Sequence, residues 1–216
     1  MNEVTKRGSG HYNKGQIRSA YARVQEQYND FALRETSKPW WDAFLAELQN
    51  GDLILDLGCG SGIPACYLSS KGMRVIGTDI SPEMISLAKK QVPGVPFICA
   101  DMEMPWPENT FDGICAFFSL LHLPKKKTVR LLYKIYKWMK PGGVFVITVV
   151  EGTKEGLCEN FMGEGVAIYL SYYTKEELIS SLSTIGFVVT AARDLHIRTE
   201  NFEETEIFLL TRKPTD

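Results

Sequence analysis

The sequence predicts an α/β fold, a doubly wound and mostly parallel sheet preceded by an N-terminal helical cap. Three observations predict it. Short apolar runs alternate with helical patterns from residue 53 onward. A glycine-rich turn follows the first of these runs directly. The final two runs have no helix between them, so they should pair antiparallel. The 216 residues, 44% of them apolar, allow one generous domain or two small ones and exclude a disordered chain. With 24 Lys+Arg against 26 Asp+Glu the formal charge is −2, which leaves no positive excess for a strongly basic nucleic-acid binder. The longest apolar stretches, 113–121 and 143–150, fall short of the roughly 18 residues a membrane span needs. The charged N-terminus also lacks the apolar core of a secretory signal, so a soluble, cytoplasmic protein is expected. Cys59, Cys66, Cys99, Cys115 and Cys158 are odd in number, contain no C-x-x-C pair and mostly sit in apolar segments. They read as reduced thiols, not as disulfides or metal ligands.

In chain order, residues 1–15 are polar and are expected to be mobile. Tyr21, Val24, Tyr28 and Phe31 recur at helical spacing, as do Trp40, Trp41, Phe44, Leu45 and Leu48 after a break at Ser37-Lys38-Pro39. Strands are then expected at 53–57, 74–78, 95–100, 111–118 and 144–150. The helices between them cover 63–71, 82–92, where Ser81 is the N-cap, and 126–139. Residues 151–173 show no clean period and should overhang the cleft as a lid segment. Thr174-Lys175-Glu176-Glu177 is a capping box for a helix that closes at Gly186, and strands at 187–192 and 206–211 follow. No linker interrupts the chain. A single domain over 1–216 is expected: cap 1–48, core 49–150, lid 151–173 and a final helix with two strands, 174–216.

Gly58, Gly60 and Gly62 lie between the first strand and a helix, where a backbone without β-carbons lets a ligand come close. Alone, such a triplet is equally a tight turn. Asp79 ends the second strand, near the roughly 20-residue offset from the turn at which an acid meets a ribose diol. Asp101 ends the third strand, where an acid can accept from an exocyclic amine beside the flat-ring contact of Met102. Either acid alone could cap a helix or sit solvated in a loop. Both on the glycine side favour a bound ligand.

The stretch Ile54-Leu55-Asp56-Leu57-Gly58-Cys59-Gly60-Ser61-Gly62 resembles the first motif of class I S-adenosylmethionine-dependent methyltransferases. The resemblance continues through Val75–Ser81, Ala100-Asp101-Met102, Phe111-Asp112 with Ser119–His122, and Met139-Lys140-Pro141-Gly142-Gly143. It implies a Rossmann-like, seven-stranded sheet with an antiparallel last strand, and S-adenosyl-L-methionine as cofactor with S-adenosyl-L-homocysteine as product. Carried over, Gly58 and Gly60 would border the methionine part, with Asp56 orienting it. Asp79 would hold the ribose diol, Ile80 and Met102 would sandwich the adenine, and Asp101 would accept from its amine. Phe117 and Phe118 would lie near the sulfonium, and Tyr21 and Tyr28 would cover the cofactor from the cap. Cys59, Gly62, Ile63 and Met84 complete the implied cofactor set.

Methyl transfer is an in-line displacement, in which alignment can supply roughly 7–11 kcal/mol of the barrier without a catalytic dyad. A hydroxyl or protonated amine acceptor would still need a base, and His122 is the histidine expected near the cleft. The plainer reading is a packing or helix-start residue. His11 and His196 have weaker claims, and Lys125-Lys126-Lys127 reads as a solvated helix start. Phe161, Tyr169 and Tyr172 could wall an acceptor site, or serve a dimer contact or ordinary packing. The partner expected is a small-molecule acceptor, without nucleic acid or membrane, for a monomer or homodimer. A nicotinamide oxidoreductase would prefer G-x-G-x-x-G and has no use for Asp101-Met102. A cofactor-binding but inactive regulatory subunit is the alternative from another class.

Overall fold

The cap begins earlier than its apolar spacing predicts. Asn13 is extended and its side-chain oxygen accepts from the Gly15 amide at 2.8 Å, which starts helix α1 (Lys14–Arg23) ahead of Tyr21, the first residue of that spacing, and within the stretch expected to be mobile. Ile17 and Ala20 form its buried stripe, and Tyr28 continues the path, its backbone amide donating a hydrogen bond to the Val24 carbonyl at 2.8 Å. The computed structural model describes residues 12–24, 28, 37–198 and 203–215, so Phe31 and His11 lie outside the described residues. Helix α2, Lys38–Leu45, carries Pro39 in its first turn and buries Trp40, Trp41 and Phe44.

The alternating region follows as β1 (Leu53–Leu57), α3 (Ile63–Ser70), β2 (Arg74–Asp79), α4 (Pro82–Gln91), β3 (Phe97–Cys99) and β4 (Phe111–Phe117). After a single 3-10 turn at Leu120–His122 come α5 (Lys125–Trp138) and β5 (Met139–Val150). Strands β6 (Glu155–Phe161) and β7 (Val166–Ser171), helix α6 (Lys175–Ile185), and strands β8 (Val188–Arg198) and β9 (Glu203–Arg212) complete it. The expected caps are present. Ser81 Oγ accepts from the Met84 amide at 3.2 Å, and Thr174 Oγ1 accepts from the Glu177 amide at 3.1 Å.

The main sheet has seven strands in the order β3-β2-β1-β4-β5-β9-β8. The first five pair in parallel, while β9 runs antiparallel to both β5 and β8. Period-two alternation divides the interior. Leu55, Leu57, Ile114, Phe145, Ile147 and Leu209 face one layer, with α5 and α6 residues such as Leu131, Ile135 and Leu182. Ile54, Cys115, Phe117, Val146 and Phe208 face the other, against α2, α3 and α4. Trp40 stacks on Phe208 with ring centroids 4.6 Å apart, which ties α2 to the sheet. Each fully buried Leu or Phe contributes roughly 1.5–3 kcal/mol, so both faces of the sheet need their helices.

The structure corrects several expectations. Residues 151–173 are not an irregular lid: β6 and β7 form an antiparallel hairpin whose Cys158, Phe161, Ile168 and Leu170 extend the first apolar layer. Strand β3 is shorter than 95–100 because Pro96 has no amide to donate; its carbonyl accepts from Gly77 at 2.9 Å. Strand β5 starts at Met139 and passes through Lys140–Gly143 by a register shift against β4. Strands β8 and β9 run past 187–192 and 206–211, and the added rungs pair polar side chains such as His196 with Thr205.

Candidate functional site

The carboxyl ends of β1, β2 and β4 meet under the cap. At the end of β1 the chain turns through Gly58, Gly60 and Gly62, all at positive φ. The amides of Gly58 and Cys59 both donate to the Thr78 carbonyl, at 2.8 and 2.9 Å, which joins the turn to β2. Asp79 then secures it. One carboxylate oxygen accepts from the Gly60 amide at 3.0 Å and the other from the Ser81 amide at 2.8 Å. Burial nevertheless raises the Asp79 carboxyl above the ordinary carboxylate range, against these backbone bonds.

Two of the glycines are required by close approach. A Cβ on Gly58 would sit 2.3 Å from the Ser119 Cβ, and one on Gly60 would sit 2.5 Å from the Tyr28 hydroxyl. Tyr28 therefore lies directly over the turn. At the end of β4, Phe118 adopts φ 52, and its amide donates to the Thr148 carbonyl and hydroxyl at 3.1 and 2.9 Å. A bulky residue held in the left-handed region is strained, and such strain concentrates at functional sites.

These ends open into a narrow cleft with a cavity volume of about 50 Å³. Its floor is Gly58, Gly60, Thr78 and Asp79; Ile80, Ala100, Asp101 and Met102 form one side, and Phe118, Ser119, His122 and Leu123 the other. Tyr12, Ile17, Tyr21 and Tyr28 roof it from the cap. The Asp101 carboxylate accepts from the Glu103 amide at 2.8 Å and pairs with the Lys14 ammonium.

The opposite side is aromatic. The Tyr21 and Phe161 ring centroids are 5.7 Å apart, those of His122 and Phe161 6.0 Å, and those of Tyr12 and Tyr169 5.8 Å. His122 Nδ1 lies 3.3 Å from the Tyr169 carbonyl, and its Nε2 lies 2.5 Å from the Tyr21 hydroxyl. A carbonyl can only accept. The ring proton therefore sits on Nδ1, and Nε2 accepts from Tyr21. Burial depresses His122 to about 4, only partly opposed by the Tyr169 carbonyl, so the imidazole is neutral at physiological pH. Burial likewise raises the Tyr21 and Tyr28 hydroxyls, and pushes Tyr12 up to about 12.

Other expected residues stand behind this lining. Asp56 is 1% exposed beneath the turn, its Oδ2 without a hydrogen-bond partner, and burial raises it to about 7. The Cys115 thiol opposes that rise and the Asp79 charge adds to it. Cys59 and Phe117 face the second apolar layer, Phe117 against Trp41 at 6.4 Å between centroids. Gly62 caps α3 at φ 84, Ile63 packs against the same layer, and Met84 is fully buried in α4. None of the three expected acceptor residues lines the cleft: Tyr172 lies over Gly152, buried Phe161 packs behind Tyr21 and His122, and Tyr169 packs against Tyr12. His196 is exposed on β8 beside Glu203 at 3.0 Å. Sequence reasoning missed Tyr12, Lys14, Ile17 and Ser119. Ile17 precedes Tyr21 by one helical turn, a signal that was available; the polar surroundings of Tyr12 and Lys14 gave none.

A methyltransferase-domain family model matches residues 55–147. Demethylmenaquinone methyltransferase of Symbiobacterium thermophilum is 30% identical over 198 residues, 84% of this chain and 73% of that protein. Phosphoethanolamine N-methyltransferase 3 of Arabidopsis thaliana is 38% identical over 120 residues, where the match spans 53% of this chain but 24% of the plant protein. Among solved structures, the 1,6-didemethyltoxoflavin-N1-methyltransferase of Burkholderia thailandensis, with bound 1,6-didemethyltoxoflavin and S-adenosylhomocysteine, superposes with a TM-score of 0.76. That match has 20% identity, covers 98% of this chain and 94% of the other, and shows the shared fold.

Proposed function

The chain belongs to the class I S-adenosylmethionine-dependent methyltransferases, and from that premise we propose that it transfers a methyl group to an O, N, S or C nucleophile of a small-molecule acceptor. The observation that carries this reading is the meeting of the glycine turn and Asp79 opposite the aromatic wall of Tyr21, His122 and Phe161. The residues present fit the cofactor: the turn at the end of β1 offers glycine backbone, Asp56 Oδ2 lies buried and unpartnered beneath it, and Asp79 spends only one lone pair on each backbone bond.

When bound, S-adenosylmethionine supplies an electrophilic methyl on a sulfonium. Asp79 would hold the ribose diol, Ile80 and Met102 the adenine faces, and Asp101 the adenine amine. Gly58 and Gly60 would border the methionine part, with Asp56 below and Phe118, Tyr21 and Tyr28 around the sulfonium. The chain's other task is to align the nucleophile and exclude water. Tyr12, Tyr21 and His122 wall the acceptor side, backed by Phe161 and Tyr169. His122, the candidate base, is neutral and its Nε2 accepts from the Tyr21 hydroxyl; because burial weakens both as proton carriers, the pair's better role is to fix the phenol beside the acceptor.

A small-molecule acceptor is supported by relatives whose names refer to demethylmenaquinone and phosphoethanolamine. The described chain reads as one domain, with selectivity in α1 and the β6–β7 hairpin, acting as a monomer or homodimer. No helix among the described residues is long and apolar enough to cross a membrane. The five cysteines are free, which suits a reducing, cytoplasmic compartment.

The test is thermal. S-adenosylhomocysteine at about a hundredfold excess over its Kd should raise Tm by about 5–10 °C, and NAD should not. Stabilisation by NAD alone would overturn the assignment.

A further inference from the structure

Two carboxylates lie at the glycine turn, and the protein treats them very differently. Asp79 accepts from the Gly60 and Ser81 amides, one bond to each oxygen, at 3.0 and 2.8 Å. Asp56 is 1% exposed, and its Oδ2 has no hydrogen-bond partner among the described residues. Strand pairing sets it between Gly77 of β2 and Cys115 of β4. The titratable groups around it are the Cys115 thiol from β4, Asp79 from the end of β2, Cys59 from the turn and the Tyr28 hydroxyl from the cap. None of these is a cation. A lone thiol cannot replace the water that an ionised carboxylate gives up, and the Asp79 charge adds repulsion. Burial accordingly raises Asp56 to about 7, with the thiol only partly opposing it.

We propose that Asp56 couples cofactor binding to proton release: it holds a proton until the α-ammonium of the cofactor's methionine part arrives, and then gives it up. The proposal rests on the methyltransferase reading, which sets that part against the Gly58–Gly60 turn above Asp56. In the step the Asp56 O–H bond breaks, the carboxylate keeps the electron pair, and the proton passes to solvent. The ammonium keeps its own protons and brings the positive charge that the surroundings of Asp56 lack. Ionised Asp56 then faces a cation beside Asp79, so the repulsion between the two acids is offset. The sign follows directly. In acid the proton must be stripped from Asp56 before the pair can form, so cofactor affinity falls as pH falls below the raised value. A ligand with the same nucleoside but no ammonium leaves Asp56 protonated.

The experiment is titration calorimetry of the full-length protein in phosphate and in imidazole, buffers whose ionisation heats differ. At about pH 6.5, S-adenosylhomocysteine should release roughly 0.5–1 proton per site more than 5′-methylthioadenosine, which lacks the amino acid part. Any proton that Asp79 yields to the ribose appears with both ligands, so the excess reports the ammonium. Asp56→Asn, shaped like the protonated acid but with no proton to lose, should abolish that excess. From about pH 7.5 to about pH 5.5 the parent's Kd for S-adenosylhomocysteine should rise about tenfold or more, and that of Asp56→Asn less than about threefold. Either comparison decides alone, the two ligands on the parent or the parent against the variant. Equal proton counts for the two ligands, or a release and pH dependence that persist in Asp56→Asn, would overturn the coupling and leave the methyltransferase reading standing. Folded parent protein that does not bind S-adenosylhomocysteine would overturn both.

Discussion

His122 and Asp56 should make stability depend on pH in opposite directions, and replacing either one uncovers the other. Burial lowers His122 from 6.5 to about 4. Between those values the unfolded chain binds a proton that the native state refuses, so stability falls as pH drops through this window. At 1.36 kcal/mol per pH unit the loss is roughly 3 kcal/mol. Asp56 is raised from 3.8 to about 7. There the native state keeps a proton that the unfolded chain releases, so stability rises as pH falls from about 7, by roughly 4 kcal/mol in all. The two contributions overlap and oppose each other in the parent. His122→Phe keeps a ring but cannot titrate, so its stability should climb toward acid more steeply than the parent's. Asp56→Asn should fall over the same range. Urea unfolding followed by circular dichroism from about pH 7 to about pH 4.5 reads both slopes. Asp79, also raised and electrostatically coupled to Asp56, adds to the acid-side rise, so each variant is read as its difference from the parent: positive toward acid for His122→Phe, negative for Asp56→Asn. A His122→Phe curve parallel to the parent would refute the claim that this imidazole is buried and neutral.

Two further predictions test the turn. Gly58→Ala and Gly60→Ala should fail differently. The first meets the Ser119 Cβ, which cannot move away, and should cost at least about 3 kcal/mol of folding stability. The second meets the far end of the Tyr28 side chain and should leave folding closer to the parent while weakening S-adenosylhomocysteine binding by about tenfold or more, as urea unfolding and calorimetry would record. Asp79→Ala should weaken that binding by roughly 2–4 kcal/mol, from lost charge-assisted bonds to the ribose diol. An unchanged Kd would move the ribose elsewhere.

Much of this architecture was legible because the core elements satisfy several local rules at once. Leu53–Leu57 is a continuous apolar run around one acid, bounded by glycine, and it is a strand buried on both faces. Ser81-Pro82 and Thr174–Glu177 announce their helices by cap chemistry, and the cap bonds are present. The glycine turn and its acid were legible too, since Asp79 bonds Gly60 across the interval that the spacing suggested. What was not legible depends on partners distant in sequence. The hairpin of β6 and β7 carries a register shift between Cys158 and Phe161 and a positive φ at Met162, which break the period-two pattern. The start of α1 is a polar stretch whose reason for being ordered lies across the cleft, at Asp101 and Glu103. Phe117 and Phe118 are adjacent in sequence, yet β4 turns their rings toward different regions, and only the second lines the cleft.

Strand β9 has a consequence for biogenesis. It lies between β5 and β8, so β8 reaches the sheet only through residues 203–212. On the ribosome, β1, β2 and β4 can pair as soon as they emerge, and the cleft-forming half of the sheet needs no pairing from β9. A chain stalled or cut ahead of residue 203 loses two strands for the price of one. It also bares the flank of β5 along Val144–Val150, nearly all of it buried in the finished protein. An unpaired apolar edge of that length is a template for cross-chain pairing. The inserted strand is thus a keystone, and nascent chains lacking it are the species in which chaperone dependence and aggregation should concentrate.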